Sequence, residues 1–228
     1  MRCSERNNSF LKNQERHQVD NIVSETTVPE ARKGRLYVVS APSGAGKTTL
    51  CRALRDVYSD IRYSISHTTR KPRQGEKDGI DYHFTDKKEF FHMRDRGCWA
   101  EWAKVHGHYY GTLAKNLEQA LSHGHDVLLD IDVQGAIQIL ERFRDTITIF
   151  IMAPSLEILK QRLLKRDTDD LQTIEKRMIN AEKEIAGKSI YRHVIVNDNL
   201  SRAIDEFICI VGEYRNGKKL PDSDTRES

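Results

Sequence analysis

Residues 36–50 read Leu36-Tyr37-Val38-Val39-Ser40-Ala41-Pro42-Ser43-Gly44-Ala45-Gly46-Lys47-Thr48-Thr49-Leu50. Leu36 to Val39 is aromatic and β-branched, as a buried strand requires, and Leu50, Ala53, Leu54 and Val57 recur at helical spacing. The loop between them ends at a helix N-terminus, where backbone N–H groups converge and the helix dipole favours negative charge. Gly44 and Gly46 let the backbone approach an anion, Lys47 can reach the outer phosphates of a nucleotide, and Thr48 can set its hydroxyl on a magnesium ion. The stretch departs from the pattern G-x-x-x-x-G-K-[ST] at its first position, which is Ala41. An ordinary strand-turn-helix corner has no need of Gly-x-Gly-Lys-Thr at that point, so the stretch predicts a phosphate cradle.

Outward from this loop, composition sets the limits. A chain of 228 residues can bury one sizeable core with a small inserted lobe. Its 37 Lys and Arg against 34 Asp and Glu give a net charge of +3 and no polybasic character, which argues against a nucleic-acid polymer as partner. Charged residues make up 31% of the chain, and no apolar run approaches the roughly 18 residues of a membrane helix. The first 30 residues lack an apolar segment and carry Glu5, Glu15, Asp20, Glu25 and Glu30, unlike a secretory or transit peptide, so the expected compartment is the cytoplasm. Cys3, Cys51, Cys98 and Cys209 lie far apart with no C-x-x-C pair, and read as reduced structural thiols. The triplets His106-Gly-His108 and His123-Gly-His125 lack a nearby third ligand and fit loop and strand-edge histidines better than a metal site.

Residues 1–33 read as a disordered polar extension and 216–228 as a polar tail. Between them strands alternate with helices, which predicts a mostly parallel sheet with helices on both faces. Strands are expected at Leu36–Ser40, Ile61–Ser66, His125–Asp130, Thr146–Met152 and His193–Val196. Helices are expected after Lys47, at Thr112–His123, from Leu156 through Leu163, at Asp169–Ile185 and at Leu200–Glu213. From Thr68 to Thr112 the style changes to short strands at Asp81–Thr85, Trp99–Trp102 and His108–Tyr110. Asp86 and Glu89 form a plausible capping pair for a helix over Phe90–Arg96, which Gly97 stops. This block reads as a small mixed β lobe inserted into the main α/β unit.

A second anion site suits Arg70-Lys-Pro-Arg73, where Pro72 stiffens the backbone between two guanidinium groups. Two arginines at that spacing equally suit a solvated strand edge. The phosphate reading gains from Tyr82 and Tyr110, which recur in the same lobe with Glu101-Trp102 between them.

With these residues in place the chain resembles the guanylate kinase family from about Arg35 to about Glu213. The resemblance rests on Ser40-Ala-Pro-Ser-Gly-Ala-Gly-Lys-Thr-Thr49, Ser66-His-Thr-Thr-Arg-Lys-Pro-Arg73, Gly79-Ile-Asp-Tyr-His-Phe84, Glu101-Trp102, Gly107-His-Tyr-Tyr-Gly-Thr112, Leu129-Asp-Ile-Asp-Val-Gln-Gly135 and Val194-Ile-Val-Asn-Asp198. It implies an α/β fold of the P-loop nucleoside monophosphate kinase type, a parallel sheet flanked by helices with an inserted small mixed β lobe and a helical lid. It also implies a domain at 34–215, divided into a core (34–67, 113–153 and 190–215), a GMP-binding lobe (68–112) and a lid (154–189). The implied reaction transfers a phosphoryl group from ATP to GMP, and to dGMP with it, with Mg²⁺ as cofactor; the sequence does not decide between a monomer and a homo-oligomer.

The same resemblance implies the site residues. Ala41, Pro42, Ser43, Gly44, Ala45, Gly46, Lys47, Thr48 and Thr49 would hold ATP phosphates, and Asn197 would lie near its adenine. Arg70, Arg73, Tyr82 and Tyr110 would hold the phosphate of GMP, while Ser66, Glu101, Thr112 and Asp132 read the guanine. A carboxylate at Glu101 can accept from guanine N1–H and N2–H₂, and a hydroxyl of Ser66 or Thr112 can donate to O6. Adenine reverses those signs and would leave Glu101 without partners, a penalty of roughly 1–3 kcal/mol or more. Thr48 would bind magnesium directly; Asp130, after three apolar residues, resembles an acid holding the ion through water, with its neighbour Asp132 a competitor for that role. Arg162, Arg166 and Arg177 match the lid arginines, which with Lys47 and Arg70 make up the catalytic set, and Lys165 and Asp167 stand where glycines are often found.

The nucleophile would be a phosphate whose second pKa near ~6 leaves it largely dianionic at pH 7, so no general base is needed and positioning with charge stabilisation does the work. Two other readings are weighed against this. A guanylate-kinase-like scaffold module that holds phosphopeptides tends to lose the loop lysine and lid arginines, which this chain keeps. A kinase of phosphorylated sugars need not retain Glu101 with Ser66 and Thr112.

Overall fold

The computed structural model describes residues 32–105, 107–165 and 171–220. Its frame is a five-stranded parallel sheet. Strands β1 (Leu36–Ser40), β2 (Arg62–Tyr63), β7 (Val127–Asp130), β8 (Ile147–Met152) and β9 (His193–Val196) lie in the order β2-β7-β1-β8-β9. A second sheet of mixed direction has the order β4-β3-β6-β5, from β3 (His67–Thr68), β4 (His83–Phe84), β5 (Trp99–Val105) and β6 (His108–Leu113). The helices are α1 (Lys47–Val57), α2 (Lys87–Asp95), α3 (Ala114–Ser122), α4 (Val133–Arg142), α5 (Leu156–Leu164), α6 (Leu171–Ala186) and α7 (Leu200–Arg215).

The period-2 alternation of β1 distributes its side chains between two cores. Tyr37 and Val39 point to one face, where Leu50 and Leu54 of α1, Leu159 of α5 and Phe207 and Val211 of α7 cover them. Leu36 and Val38 point to the other, against Leu117 of α3 and Ala136 and Ile139 of α4. Burial on both faces explains why β1 and β8 read as unbroken apolar runs. With β7 on one side of β1 and β8 on the other, the strand order reverses at the carboxyl end of β1. That is the crevice at which parallel α/β sheets bind ligands, and the glycine loop follows β1 into it.

The elements differ from the sequence expectations in a few places. The strand expected over Ile61–Ser66 is only Arg62–Tyr63: Ser64 N–H still donates to Leu128 O at 3.0 Å, but the chain then crosses into the second sheet, which begins at His67. Thr112 lies within β6 and does not open a helix; α3 begins at Ala114. Helix α4, begun by Asp132 accepting from Gly135 N–H at 2.9 Å, was not foreseen. Arg32, assigned to the polar extension, donates to both oxygens of the buried Asp126 at 2.7 and 2.9 Å and so belongs to the folded unit. The capping of α2 is as expected, with Asp86 accepting from Glu89 N–H at 2.8 Å. Among the described residues no helix is long and apolar enough to cross a membrane.

Candidate active site

The loop between β1 and α1 is built by its glycines. Gly44 and Gly46 have φ of 92° and 104°, in the region where a Cβ is strained. A Cβ on Gly46 would also lie 2.3 Å from Asn197 Nδ2. Gly46 caps α1 without a side-chain hydrogen bond, so the first N–H groups of the helix keep their donors for a ligand. Asn197 sits beneath the loop, 4% exposed, and its amide donates to Ala45 O at 2.8 Å. Asn197, expected near the adenine of ATP, thus braces the loop from beneath through its bond to a main-chain oxygen.

At the loop's end Lys47 forms an ion pair with Asp130 at the end of β7. Burial works against the ammonium, yet the attraction of Asp130 and a hydrogen bond to it hold the lysine above its ordinary pKa. The other oxygen of Asp130 accepts from Tyr63 Oη at 3.3 Å. Tyr63 was not anticipated, because a strand-edge tyrosine carries no motif.

One cavity of about 330 Å³ joins the two sheets. Ala41, Pro42, Ser43, Gly44, Gly46, Lys47, Thr48 and Thr49 line it from the loop side, Ser66, Tyr82, Glu101 and Tyr110 from the second sheet, and Asp130 and Asp132 from the end of β7. Ala45 is buried behind the loop, with its carbonyl turned to Asn197. Arg70 stands beside the wall, its guanidinium 5.3 Å from the Tyr82 ring, and Tyr82 and Tyr110 are 5.8 Å apart centre to centre. Arg73 is exposed and outside the cavity.

Glu101 is 3% exposed, and burial pushes its carboxyl up to about 7; the bond from Thr112 Oγ1 to its Oε1, at 2.6 Å, works against that rise and the charge of Asp132 adds to it. This placement comes from two contacts. Gln138 of α4 accepts from Trp102 N–H at 3.1 Å and donates to Trp102 O at 2.8 Å, which fixes the register of β5 against α4. Glu101 is thereby set on Gly135, where a Cβ would lie 2.6 Å from Oε2. Thr112 has a single hydroxyl hydrogen and Glu101 holds it, so of the two hydroxyls expected to donate to a base, Ser66 is the one left to do so. Asp132 is raised by burial and serves as the cap of α4.

The lid arginines are partly in view. Arg162 donates to Asn197 O at 2.8 Å, and Arg177 reaches Ser43 Oγ at 3.4 Å. Arg166 and Asp167 lie outside the described residues. Glu184, on the same face of α6 as Arg177 two turns on, also lines the cavity; burial pushes it up to about 7, with Lys47 opposing the rise and Asp132 adding to it. Sequence reasoning passed over Glu184 as one more charge on an amphipathic helix.

Both histidines of the second triplet have structural partners. His123 Nδ1 lies 2.6 Å from Gln119 O and His125 Nε2 lies 2.7 Å from Arg62; His106 lies outside the described residues. Among the described residues no group of three His, Cys, Asp or Glu could hold a metal ion by itself. A magnesium carried in on phosphates needs only one or two protein ligands, and the hydroxyl of Thr48 beside the carboxylate of Asp130 is the donor set that fits it.

A central parallel strand running into a glycine loop, with a small second sheet closing the same cavity, defines the class: the fold is that of a P-loop nucleoside monophosphate kinase. Residues 33–213 match the family model described as guanylate kinase. The chain belongs to the guanylate kinase family. It is 49% identical over 180 residues to a guanylate kinase of Syntrophotalea carbinolica, covering 79% of this chain and 86% of that protein. A guanylate kinase of Alcanivorax borkumensis is 48% identical over 185 residues, 81% of this chain and 89% of that protein. Among solved structures, guanylate kinase from Anaplasma phagocytophilum superposes with a TM-score of 0.65 at 34% identity, over 83% of this chain and 89% of that one.

Proposed function

We propose that the chain transfers the γ-phosphoryl group of ATP to GMP, giving ADP and GDP, and accepts dGMP as well. The observation that carries this reading is Glu101, a buried acceptor facing the cavity that also contains the phosphate loop. Guanine presents donors to such a carboxylate and adenine does not.

Residues 41–49 cradle the ATP phosphates through the N–H groups of the loop and of α1, and Lys47 stabilises charge on the transferring group. Arg70, Arg73, Tyr82 and Tyr110 hold the acceptor phosphate, for which the exposed Arg73 must swing inward. Ser66 donates to O6, and Asp132 shares the base edge. Arg162, Arg166 and Arg177 fold over the phosphates and keep water from taking the phosphoryl group. Thr48 directly and Asp130 through water would hold a magnesium ion, which would neutralise phosphate charge, and Asp130 would then free Lys47 for the phosphates. Within the unit at 34–215, residues 68–112 act as the acceptor lobe and 154–189 as the lid.

A coupled assay of ADP release with GMP, dGMP, AMP, CMP and UMP tests the reading. Fast turnover is expected with the two guanine nucleotides alone; equal turnover with AMP would refute it.

A further inference from the structure

The acceptor-phosphate arginine is not loose in the structure. Arg70 Nη1 and Nη2 donate to Glu76 Oε2 and Oε1 at 2.9 and 2.8 Å, a planar two-bond fork. The second hydrogen of Nη1 goes to Lys71 O at 2.9 Å. Glu76 Oε2 also accepts from Arg73 N–H at 2.8 Å, which closes the turn over Gln74 and Gly75. Both side chains are largely shielded, 12% exposed for Arg70 and 19% for Glu76. The bond from Arg70 holds the Glu76 carboxyl below its usual range, so it is an anion at neutral pH.

A guanidinium has five N–H donors arranged as forks. With the end-on pair on Glu76 and the outer Nη1 hydrogen on Lys71, the donors that neither of these takes are Nε–H and the second hydrogen of Nη2, and Tyr110, itself read as a phosphate ligand, also hydrogen-bonds to the guanidinium. Nε–H and that Nη2 hydrogen form another planar fork, on the adjacent edge of the group. We propose that Glu76 is a positioning residue for the acceptor: it grips one fork of Arg70 so that the remaining fork is presented, already oriented, to the phosphate of GMP. The proposal rests on the reading of Arg70 as a phosphate ligand. A long arginine held this way gives up little rotamer freedom on binding, which lowers the cost of association. Glu76→Gln would keep one acceptor oxygen but turn an NH₂ toward an arginine N–H, and so break the fork with little change of volume.

The test is kcat and KM for GMP and for ATP in the full chain, with Glu76→Gln, Glu76→Asp, Arg70→Ala and the double variant Arg70→Ala with Glu76→Gln. Glu76→Gln should raise KM for GMP roughly tenfold and leave KM for ATP unchanged. It should add nothing to the loss caused by Arg70→Ala, because it acts through that side chain, and Glu76→Asp should recover part of the effect. A fall in KM for GMP would overturn the proposal and make Glu76 a competitor that the phosphate must displace. A lower melting temperature with unchanged KM for GMP would make it a staple of the turn and nothing more, and additive losses would separate it from Arg70. Should Arg70→Ala leave KM for GMP unaltered, the assignment of Arg70 itself fails; should Arg70→Ala raise it and Glu76→Gln not, the failure is that of Glu76 alone.

Discussion

The two halves of the cavity are built from different material. The loop side is main chain: left-handed glycines, a helix start with no side-chain cap and a buried asparagine holding the turn from below. The acceptor side is side chain: Arg70 on Glu76, Glu101 on Thr112, and Arg73 outside the cavity. A site of backbone amides is finished when the fold is finished, whatever occupies it. A site of side chains is completed by its ligand, and in the meantime its charged groups need internal partners. On the function proposed above, this asymmetry would suit a donor half that grips a phosphate chain through main-chain groups and an acceptor half that reads one base through side chains.

The sharpest way to break the comparison is at the junction. Lys47→Ala should lower turnover by about three orders of magnitude or more while GMP binding stays measurable by calorimetry, because the lysine serves the transferring group; unchanged turnover would remove the loop from the mechanism. Next in size is Gly46→Ala, which combines a strained φ of 104° with a contact of 2.3 Å to Asn197 Nδ2. It should destabilise the protein by about 1–3 kcal/mol in a denaturant titration and weaken ATP more than GMP. Equal weakening of the two would show that the halves are not built independently.

How much of this was legible follows the same division. The loop is contiguous, so Gly44, Gly46, Lys47 and Thr48 declared themselves in fifteen residues. The acceptor half is gathered from residues 66 to 132, and without the family resemblance the signal was Arg70 and Arg73, with Tyr82 and Tyr110 around Glu101-Trp102 as weaker support. Glu76 lay within the same stretch as Arg70, but its partnership is made across a turn whose shape no spacing rule gives. Helix α4 was missed because its cap, Asp132, belongs to an acidic strand end and Gly135 interrupts its first turn; Ala136 and Ile139, one turn apart and fully buried, were the available signal. Gly135 is also the position on which Glu101 rests, so the residue that obscured the helix is the one that makes room for the acid.

Smaller effects sharpen the comparison further. Glu101 carries its proton more tightly in the folded protein than in the unfolded chain, with its folded pKa at about 7. Its neutral form therefore favours the fold at low pH, and that contribution is lost as pH rises from the ordinary carboxylate range through 7. At pH 8 the buried charge costs about 3 kcal/mol. Glu101→Gln should accordingly raise the melting temperature at pH 8 by roughly 6–12 °C, with the gain fading toward pH 4, while KM for GMP rises and KM for ATP does not. A variant that melts lower at pH 8 would show that the carboxylate is not strained there. Asn197→Ala, at the bottom of the scale, should cost about 1 kcal/mol of stability and weaken ATP alone.

The most direct test of the central claim, that a buried acid reads the donor edge of guanine, is the number of protons released when GMP binds near pH 6.5. It is obtained by calorimetry in buffers of different ionisation enthalpy, for the wild-type chain and for Glu101→Gln. Guanine donors favour the carboxylate, so binding should drive off the proton that burial holds on Glu101 below pH 7. The wild-type chain should release about half a proton or more beyond what the variant releases, with the phosphate contribution common to both. Equal release from the two would contradict the account.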